Sequence, residues 1–354
     1  MPKVLILKPS SLGDVVQALP VLRLLKRHLP ASEIYWWIDS ALAPLLEGDP
    51  DLAGVVRFER RRWAAPVHWG EMWHSLRWLR QQNFDWVIDL QGLMRSGIFA
   101  WLANGKLTIG LDEPREGARG FYDHIVQRPS PLTHAVEWYQ CVLPVLGVPA
   151  DGDFQWLPPR PVVAAAVRRQ WPIDGARWVS LQPGARWPNK RWPVESYAEL
   201  VRLLGPTQPG IRFAVLGGEE DRHLGEAIVR ADPGRCLDLT GRLTLPEMVE
   251  WIRLSELMVG NDTGPMHVAA ALGTPVVALL GPTEPRRTGP YRQLDHVLQL
   301  NLPCVPCLKA RCACVKPLEC LRAMPVAAVF RAAQARLGAP ALRPFTACSA
   351  VGAS

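Results

Sequence analysis

No uninterrupted apolar run in this sequence approaches the ~20 residues that a membrane-spanning helix requires. Room for a signal peptide is also lacking, because Met1-Pro2-Lys3 leads straight into the short apolar run Val4–Leu7. The expectation is a cytoplasmic protein that at most touches a membrane surface. Basic residues are spread along the chain, and the cysteines lack the paired spacing of a zinc finger. A nucleic-acid-binding module is therefore a weak reading.

What is present points elsewhere. The 354 residues are enough for two domains of ordinary size. A hydrophobic content of 48% and a charged content of 21% are those of a globular protein. The net charge of +7 favours acidic partners such as a phosphorylated substrate or an anionic membrane face. Tryptophan and proline are abundant, at 15 and 34 residues. Eight cysteines in such a setting suggest free thiols or a metal more than disulfides.

The stretch 257–283 organises the chain. Leu257–Val259 reads as a buried strand and Gly260–Gly264 as a turn cluster. A helix then starts near Pro265 and stops at Gly273, and Pro275–Leu280 forms a second strand. A strand that feeds a glycine-rich loop and a helix start is a general anion site, since the first N–H groups and the dipole favour negative charge there. The amides of Met266, His267 and Val268, with the Thr263 hydroxyl and the His267 ring, are the expected donors. Asp262 looks wrong for a phosphate site unless it turns back onto backbone N–H groups. An ordinary strand-loop-helix unit with His267 as a packing residue has the same spacing.

Elsewhere the pattern repeats. Val4–Leu7 is a strand, Lys8–Asp14 a loop and 15–29 a helix, which Pro20 is expected to kink or split. Asp14 sits where a strand hands over to a helix, which suits a ligand site as well as a simple helix cap. Glu59-Arg60-Arg61-Arg62-Trp63, followed by Trp69, Trp73 and Trp78, reads as a solvated helix face or as a basic, aromatic mouth for an anionic amphiphile. Proline-rich 149–161 is the expected linker. Beyond it come a strand at Trp178–Gln182, a basic loop to Lys190, a strand at Phe213–Leu216 ending in Gly217-Gly218-Glu219, and a helix at Leu245–Leu254. Strands alternating with helices in both halves predict an α/β chain of two doubly wound, Rossmann-like domains whose carboxyl edges face one cleft. The expected bounds are 1–155, 156–337 and a loose tail at 338–354. Cys304, Cys307, Cys312, Cys314 and Cys320 crowd the segment 304–320, where reduced thiols or a structural Zn or Fe ion are open alternatives.

Several of these motifs, taken in order, resemble the bacterial lipopolysaccharide heptosyltransferases. They are Lys8-Pro-Ser-Ser-Leu-Gly-Asp14 with Pro20, Asp89-Leu-Gln-Gly92, Lys190-Arg-Trp-Pro193, Gly217-Gly-Glu219, Gly260–His267 and Gly281-Pro-Thr283. The resemblance implies a GT-B fold with acceptor on the amino-terminal domain and nucleotide-sugar on the carboxy-terminal one. It implies inverting, metal-independent transfer of L-glycero-D-manno-heptose from ADP-heptose to the inner core of lipopolysaccharide, at the cytoplasmic face of the inner membrane. The family's general base falls on Asp14. Donor-binding positions fall on Lys190, Glu219, Asp262, Thr263, Gly264 and His267, and acceptor-binding ones on Arg60, Arg61 and Arg115. Arg60–Trp63 and His134–Glu137 look like heptosyltransferase I, which acts on Kdo-lipid A. The spacing of Cys304, Cys307, Cys312 and Cys320, the tentative metal ligands, looks like heptosyltransferase II, which acts on the first heptose. No cofactor is expected for catalysis itself. Rival readings are a related transferase with another nucleotide-sugar or acceptor, and a nucleotide-sugar-binding protein without turnover.

Overall fold

The computed structural model describes residues 1–113, 116–152 and 154–338. Arg115 and the expected tail from 339 onward lie outside the described residues. The chain divides into two compact units that part at Pro158/Pro159.

The amino-terminal unit is built on a parallel sheet of β1 (Lys3–Leu7), β2 (Glu33–Asp39), β3 (Gly54–Phe58), β4 (Trp86–Asp89), β5 (Leu107–Leu111) and β6 (His124–Val126), in the order β3-β2-β1-β4-β5-β6. The order reverses between β1 and β4, so their carboxyl ends leave a crevice where ligands bind in such sheets. Helices α1 (Leu12–His28), α2 (Trp69–Gln81), α3 (Met94–Ala103) and α4 (Ala135–Gln140) cover it. Both faces of β1 are buried, which explains why Val4–Leu7 is apolar throughout and does not alternate.

Pro20 does not split α1, which runs from Leu12 to His28 without a break. Proline forfeits one backbone bond, but Val15–Leu25 is buried along its whole length, so packing outweighs that loss. Further along the helix, buried Arg23 reaches Asp49 at 2.5 Å and Asp51 at 2.7 Å, and it donates to the Trp156 carbonyl. That network ties the last residues of the unit back to α1. Trp63 is no part of a surface mouth. It is buried and lies parallel to Phe99 at 6.2 Å, in a core shared with Phe58 and Trp37.

The carboxy-terminal unit repeats the winding with β7 (Arg177–Gln182), β8 (Ile211–Val215), β9 (Cys236–Asp238), β10 (Leu257–Asn261), β11 (Val276–Leu279) and β12 (Val297–Leu298), in the order β12-β11-β10-β7-β8-β9. Its switch point lies between β7 and β10. The helices are α5 (Pro161–Gln170), α6 (Val194–Thr207), α7 (Arg222–Val229), α8 (Leu245–Leu254), α9 (Gly264–Leu272), α10 (Pro285–Thr288), α11 (Glu319–Arg322) and α12 (Val326–Arg336). Among the described residues no helix is long and apolar enough to cross a membrane.

Candidate active site

At the switch point of the carboxy-terminal unit, β10 ends in Asn261 and the chain turns through Asp262 and Thr263 into α9. Asn261 is fully buried. Its amide donates to the Pro183 carbonyl at 2.7 Å, and its side-chain oxygen accepts the Trp192 N–H at 3.0 Å. One side chain thus joins the ends of β7 and β10 and the loop before α6. Thr263 is the residue before the helix, with extended backbone. Helix α9 begins at Gly264, one residue ahead of the sequence expectation, so the orphan donors shift as well. The Met266 amide is used by the Thr263 carbonyl at 3.1 Å, whereas the amides of Thr263 and Gly264 carry no hydrogen bond among the described residues. Those two N–H groups stand at the positive end of the helix dipole, where an anion is favoured.

Asp262 does not turn onto backbone amides. Its Oδ2 accepts Lys190 Nζ and Thr283 Oγ1, both at 2.6 Å, and Oδ1 lies 3.8 Å from His267 Nε2. The carboxylate is nearly inaccessible, while Lys190 stays partly open beside the Trp187 ring. Asp262 is thus a bracket that aims an ammonium into the site. The Gly281-Pro-Thr283 motif thus supplies Thr283 as the second anchor of that carboxylate.

Glu219 follows β8 on the same carboxyl edge, exposed and paired with Arg222 at 2.7 Å. Its neighbour Asp221 holds the loop, since its carboxylate accepts the Gly218 amide at 3.3 Å. A Cβ on Gly184 would sit 2.1 Å from that carboxylate, so only glycine lets the two loops close up. Burial pushes the Asp221 carboxyl above its ordinary value, with Glu220 adding to the shift and the Gly218 amide opposing it.

At the switch point of the amino-terminal unit, Asp14 lies in the first turn of α1. Its Oδ2 accepts both the amide and the hydroxyl of Ser11, at 2.9 and 2.6 Å. The reciprocal cap fixes the carboxylate at the helix start. Behind it Lys8 is buried, donates to the Leu90 carbonyl at 2.9 Å and sits 4.7 Å over the Tyr139 ring. Burial alone would lower its pKa, yet Tyr139, Asp14 and Asp89 hold the ammonium above its ordinary value. Lys8 therefore bridges β1 and β4 and places a permanent positive charge near two carboxylates. Asp89 takes the amides of Gln91 and Gly92 on one oxygen and the Tyr122 hydroxyl on the other, at 2.7 Å. Burial pushes its carboxyl up against those donors. Asp89 shapes the turn and is too enclosed to meet a substrate.

A pocket of about 140 Å³ opens beside Ser10, over Trp37 and Phe58, with Arg60 and Arg95 on its rim. A larger cavity of about 700 Å³ lies between β3 and α2. Its one arginine, Arg57, is paired with Glu47, whereas the smaller pocket carries both Arg60 and Arg95 at the carboxyl ends of the strands, so we assign the smaller one.

The sequence matches the model of glycosyltransferase family 9 (heptosyltransferase) over residues 72–317. The chain belongs to the heptosyltransferases of glycosyltransferase family 9. It is 31% identical to lipopolysaccharide heptosyltransferase 1 of Pseudomonas aeruginosa over 330 residues, covering 88% of this chain and 87% of that protein. E. coli heptosyltransferase WaaC, solved with ADP, superposes with a TM-score of 0.75 at 25% identity, covering 94% of this chain and 99% of that one. E. coli ADP-heptose lps heptosyltransferase II shares the fold, with a TM-score of 0.76 at 24% identity over 95% and 98% of the two chains. The fold is GT-B, with two parallel-sheet α/β domains.

In this heptosyltransferase the structure gathers Lys190, Asp262, Thr263, Gly264 and His267 at one switch point, with Glu219 on the same sheet edge. It sets Asp14 at the other switch point and Arg60 in the pocket beside it. Arg61 is exposed and outside that pocket, Arg115 lies outside the described residues, and Arg95 is the pocket residue that sequence reasoning missed. The tentative metal site at Cys304, Cys307, Cys312 and Cys320 gains no support from the structure. Among the described residues no group of three or more His, Cys, Asp or Glu side chains is set to hold an ion. Cys320 sulfur packs in the core against Gly281, Cys312 sulfur accepts the Leu318 amide at 3.3 Å, and the thiols of Cys304 and Cys312 both contact Cys314. The segment acts as a brace instead. Leu308 donates to the Pro282 carbonyl at 2.7 Å, and the Lys309 carbonyl accepts Asn189 Nδ2 at 2.8 Å, steadying the loops that carry Thr283 and Lys190.

Proposed function

We propose that the protein transfers L-glycero-D-manno-heptose from ADP-heptose to the inner core of lipopolysaccharide, with inversion and without a metal ion. The observation that carries this reading is the α9 start, where the amides of Thr263 and Gly264 and an ammonium aimed by Asp262 meet at the switch point of a family 9 chain. Residues 1–155 bind the acceptor and 156–337 the nucleotide-sugar in this reading.

The Asp14 carboxylate takes the proton of the acceptor hydroxyl as that oxygen bonds to the anomeric carbon. The bond from that carbon to the diphosphate oxygen breaks, and ADP leaves. One displacement inverts the centre and forms no enzyme-bound sugar. Charge grows on the leaving diphosphate, where Lys190, His267, the Thr263 hydroxyl and the helix start stabilise it. Fixed cations and dipoles do there what a divalent ion does elsewhere. Glu219 meets the ribose. Arg60, Arg61 and Arg115 meet carboxylates or phosphates of the acceptor, joined by Arg95, since a guanidinium pairs with both oxygens of such a group.

Kdo-lipid A is the favoured acceptor, supported by 31% identity to a type 1 relative. Since that acceptor is lipid-linked, the enzyme works in the cytoplasm in peripheral contact with the inner membrane. The test is transfer from ADP-heptose, with EDTA present, to Kdo-lipid A and to the same acceptor already carrying one heptose. Product on Kdo-lipid A alone is expected. Product on the second acceptor alone makes the enzyme type 2. ADP binding without product on either overturns the heptose assignment.

A further inference from the structure

Exposed apolar side chains are not spread evenly over this protein. Of the fourteen large hydrophobic residues exposed among the described residues, seven fall between Val67 and Trp101. Most belong to α2 and α3. On α2, Trp69, Trp73, Arg77 and Arg80 follow one another at spacings of four, four and three, so they share a ridge. Trp69 is 50% exposed and Trp73 61%. On α3, Met94, Ile98 and Trp101 form a second ridge by the same rule, and Trp101 is 60% exposed.

The two ridges look the same way. Leu76 and Leu79 of α2 and Phe99, Ala100 and Ala103 of α3 pack into one core cluster with Leu5, Leu7 and Val87 of the sheet. The helices touch, and Arg80 donates to the Leu102 carbonyl at the end of α3. With their inner sides on a single core, their outer sides make one continuous face.

Its unpaired arginines give it a positive excess, although the Glu116 carboxylate accepts the Met94 amide at the start of α3. Arg77 and Arg95 have no acidic partner among the described residues. Helix α3 has no acid, and the lone acid of α2, Glu71, is already held by Arg62 at 2.6 Å. Tryptophan beside arginine suits the boundary between lipid headgroups and acyl chains, where an indole ring and a guanidinium each keep a polar edge in water. A second copy of the chain fits this face poorly, because a two-fold contact would bring the same unpaired guanidiniums together. An anionic surface fits all of its features.

We infer that the outer sides of α2 and α3 form the face that seats on an anionic lipid bilayer, beside the Arg60 and Arg95 pocket. This deepens the membrane contact proposed above and rests on it, but its test needs neither donor nor acceptor. The full chain is sedimented with vesicles of phosphatidylethanolamine and phosphatidylglycerol, and in parallel with phosphatidylcholine alone. Binding to the first only, weakening as salt is raised, is expected. The W73S/W101S and R77Q/R80Q pairs each weaken it at least about tenfold. The same pairs leave the melting temperature, and transfer to a soluble acceptor without acyl chains, unchanged. Val162→Ser, at an exposed valine elsewhere, leaves vesicle binding intact. Equal binding to both vesicle types, or no effect of either pair, overturns the inference. So does a solution dimer that W73S/W101S dissolves, which would give the face to a second copy. Vesicle binding without any sugar transfer would defeat the proposed reaction and leave this face standing.

Discussion

The two units wind their sheets in the same order and leave a crevice at the same place, yet they fill it with opposite charge. In the amino-terminal unit a carboxylate, Asp14, stands at the helix start, and a buried ammonium, Lys8, lies behind it. In the carboxy-terminal unit the carboxylate, Asp262, lies behind, and an ammonium, Lys190, is held forward beside the helix start. The winding supplies a location and a dipole. In the proposed reaction, the charge that stands in front sets whether the place takes a proton or binds a diphosphate.

The comparison can be broken by removing each charge in turn. Asp14→Asn is expected to lower kcat by about 10²- to 10⁴-fold, the usual worth of a general base, with ADP affinity unchanged in a calorimetric titration. Loss of ADP binding in that variant would deny the division of labour. Lys190→Met is expected to cost about 10²- to 10³-fold in kcat and also to weaken ADP, since it removes a donor aimed at growing charge.

Lys8→Met acts on stability. It removes a buried ammonium and leaves the Leu90 carbonyl without its donor, so chemical denaturation should report a loss of about 1.5–3 kcal/mol, the scale for a hydrogen bond to a charged group. The raised Lys8 pKa fixes the sign of the pH dependence. The stabilisation is complete below the ordinary lysine pKa and is lost only as pH rises through the higher folded value. The gap between variant and parent should therefore hold across neutral pH and close in alkali.

Gly110→Ala is smaller. The added Cβ would lie 2.2 Å from the Tyr122 ring, and overpacking of this kind costs about 1–3 kcal/mol, seen as a lower melting temperature. Because Tyr122 holds Asp89, the effect should stay in the amino-terminal unit and spare ADP binding.

The mildest test concerns the thiols. The Leu318 amide holds the Cys312 thiol below its ordinary pKa, contact with Cys304 pushes Cys314 up to about 11, and burial pushes Cys236 up to about 12. Alkylation at neutral pH, followed by mass spectrometry, should mark Cys312 before Cys314 and Cys236. Cys236 reacting first would contradict these environments.

Much of the scaffold was legible in the sequence because buried parallel strands are apolar throughout. Val4–Leu7 and Pro275–Leu280 announced themselves in that way. Strands β6, β9 and β12 did not, since two or three residues at a sheet edge carry no periodicity. Helix α1 was placed, but its unbroken run through Pro20 was not foreseen, because burial on all sides cannot be read from local propensity. The tryptophans at 63, 69, 73 and 78 look alike in sequence. Only packing sent Trp63 inward and left Trp69 and Trp73 outside.

The site divides in the same manner. Residue types at turns, such as the glycine-rich run after β10 and Asp14 before a helix, were fixed by local rules of chain geometry, so the sequence by itself located both switch points and the family. The partners were not local. Asp262 meets Lys190 across 72 positions and Thr283 across 21, and Lys8 meets Leu90 across 82. Tertiary structure alone decided that Asp262 is a bracket, that Lys8 lies behind Asp14 and that the cysteine segment braces two loops. The reason is physical: the direction in which a charge points is set by the neighbour that holds it, and folding chooses that neighbour from distant parts of the chain.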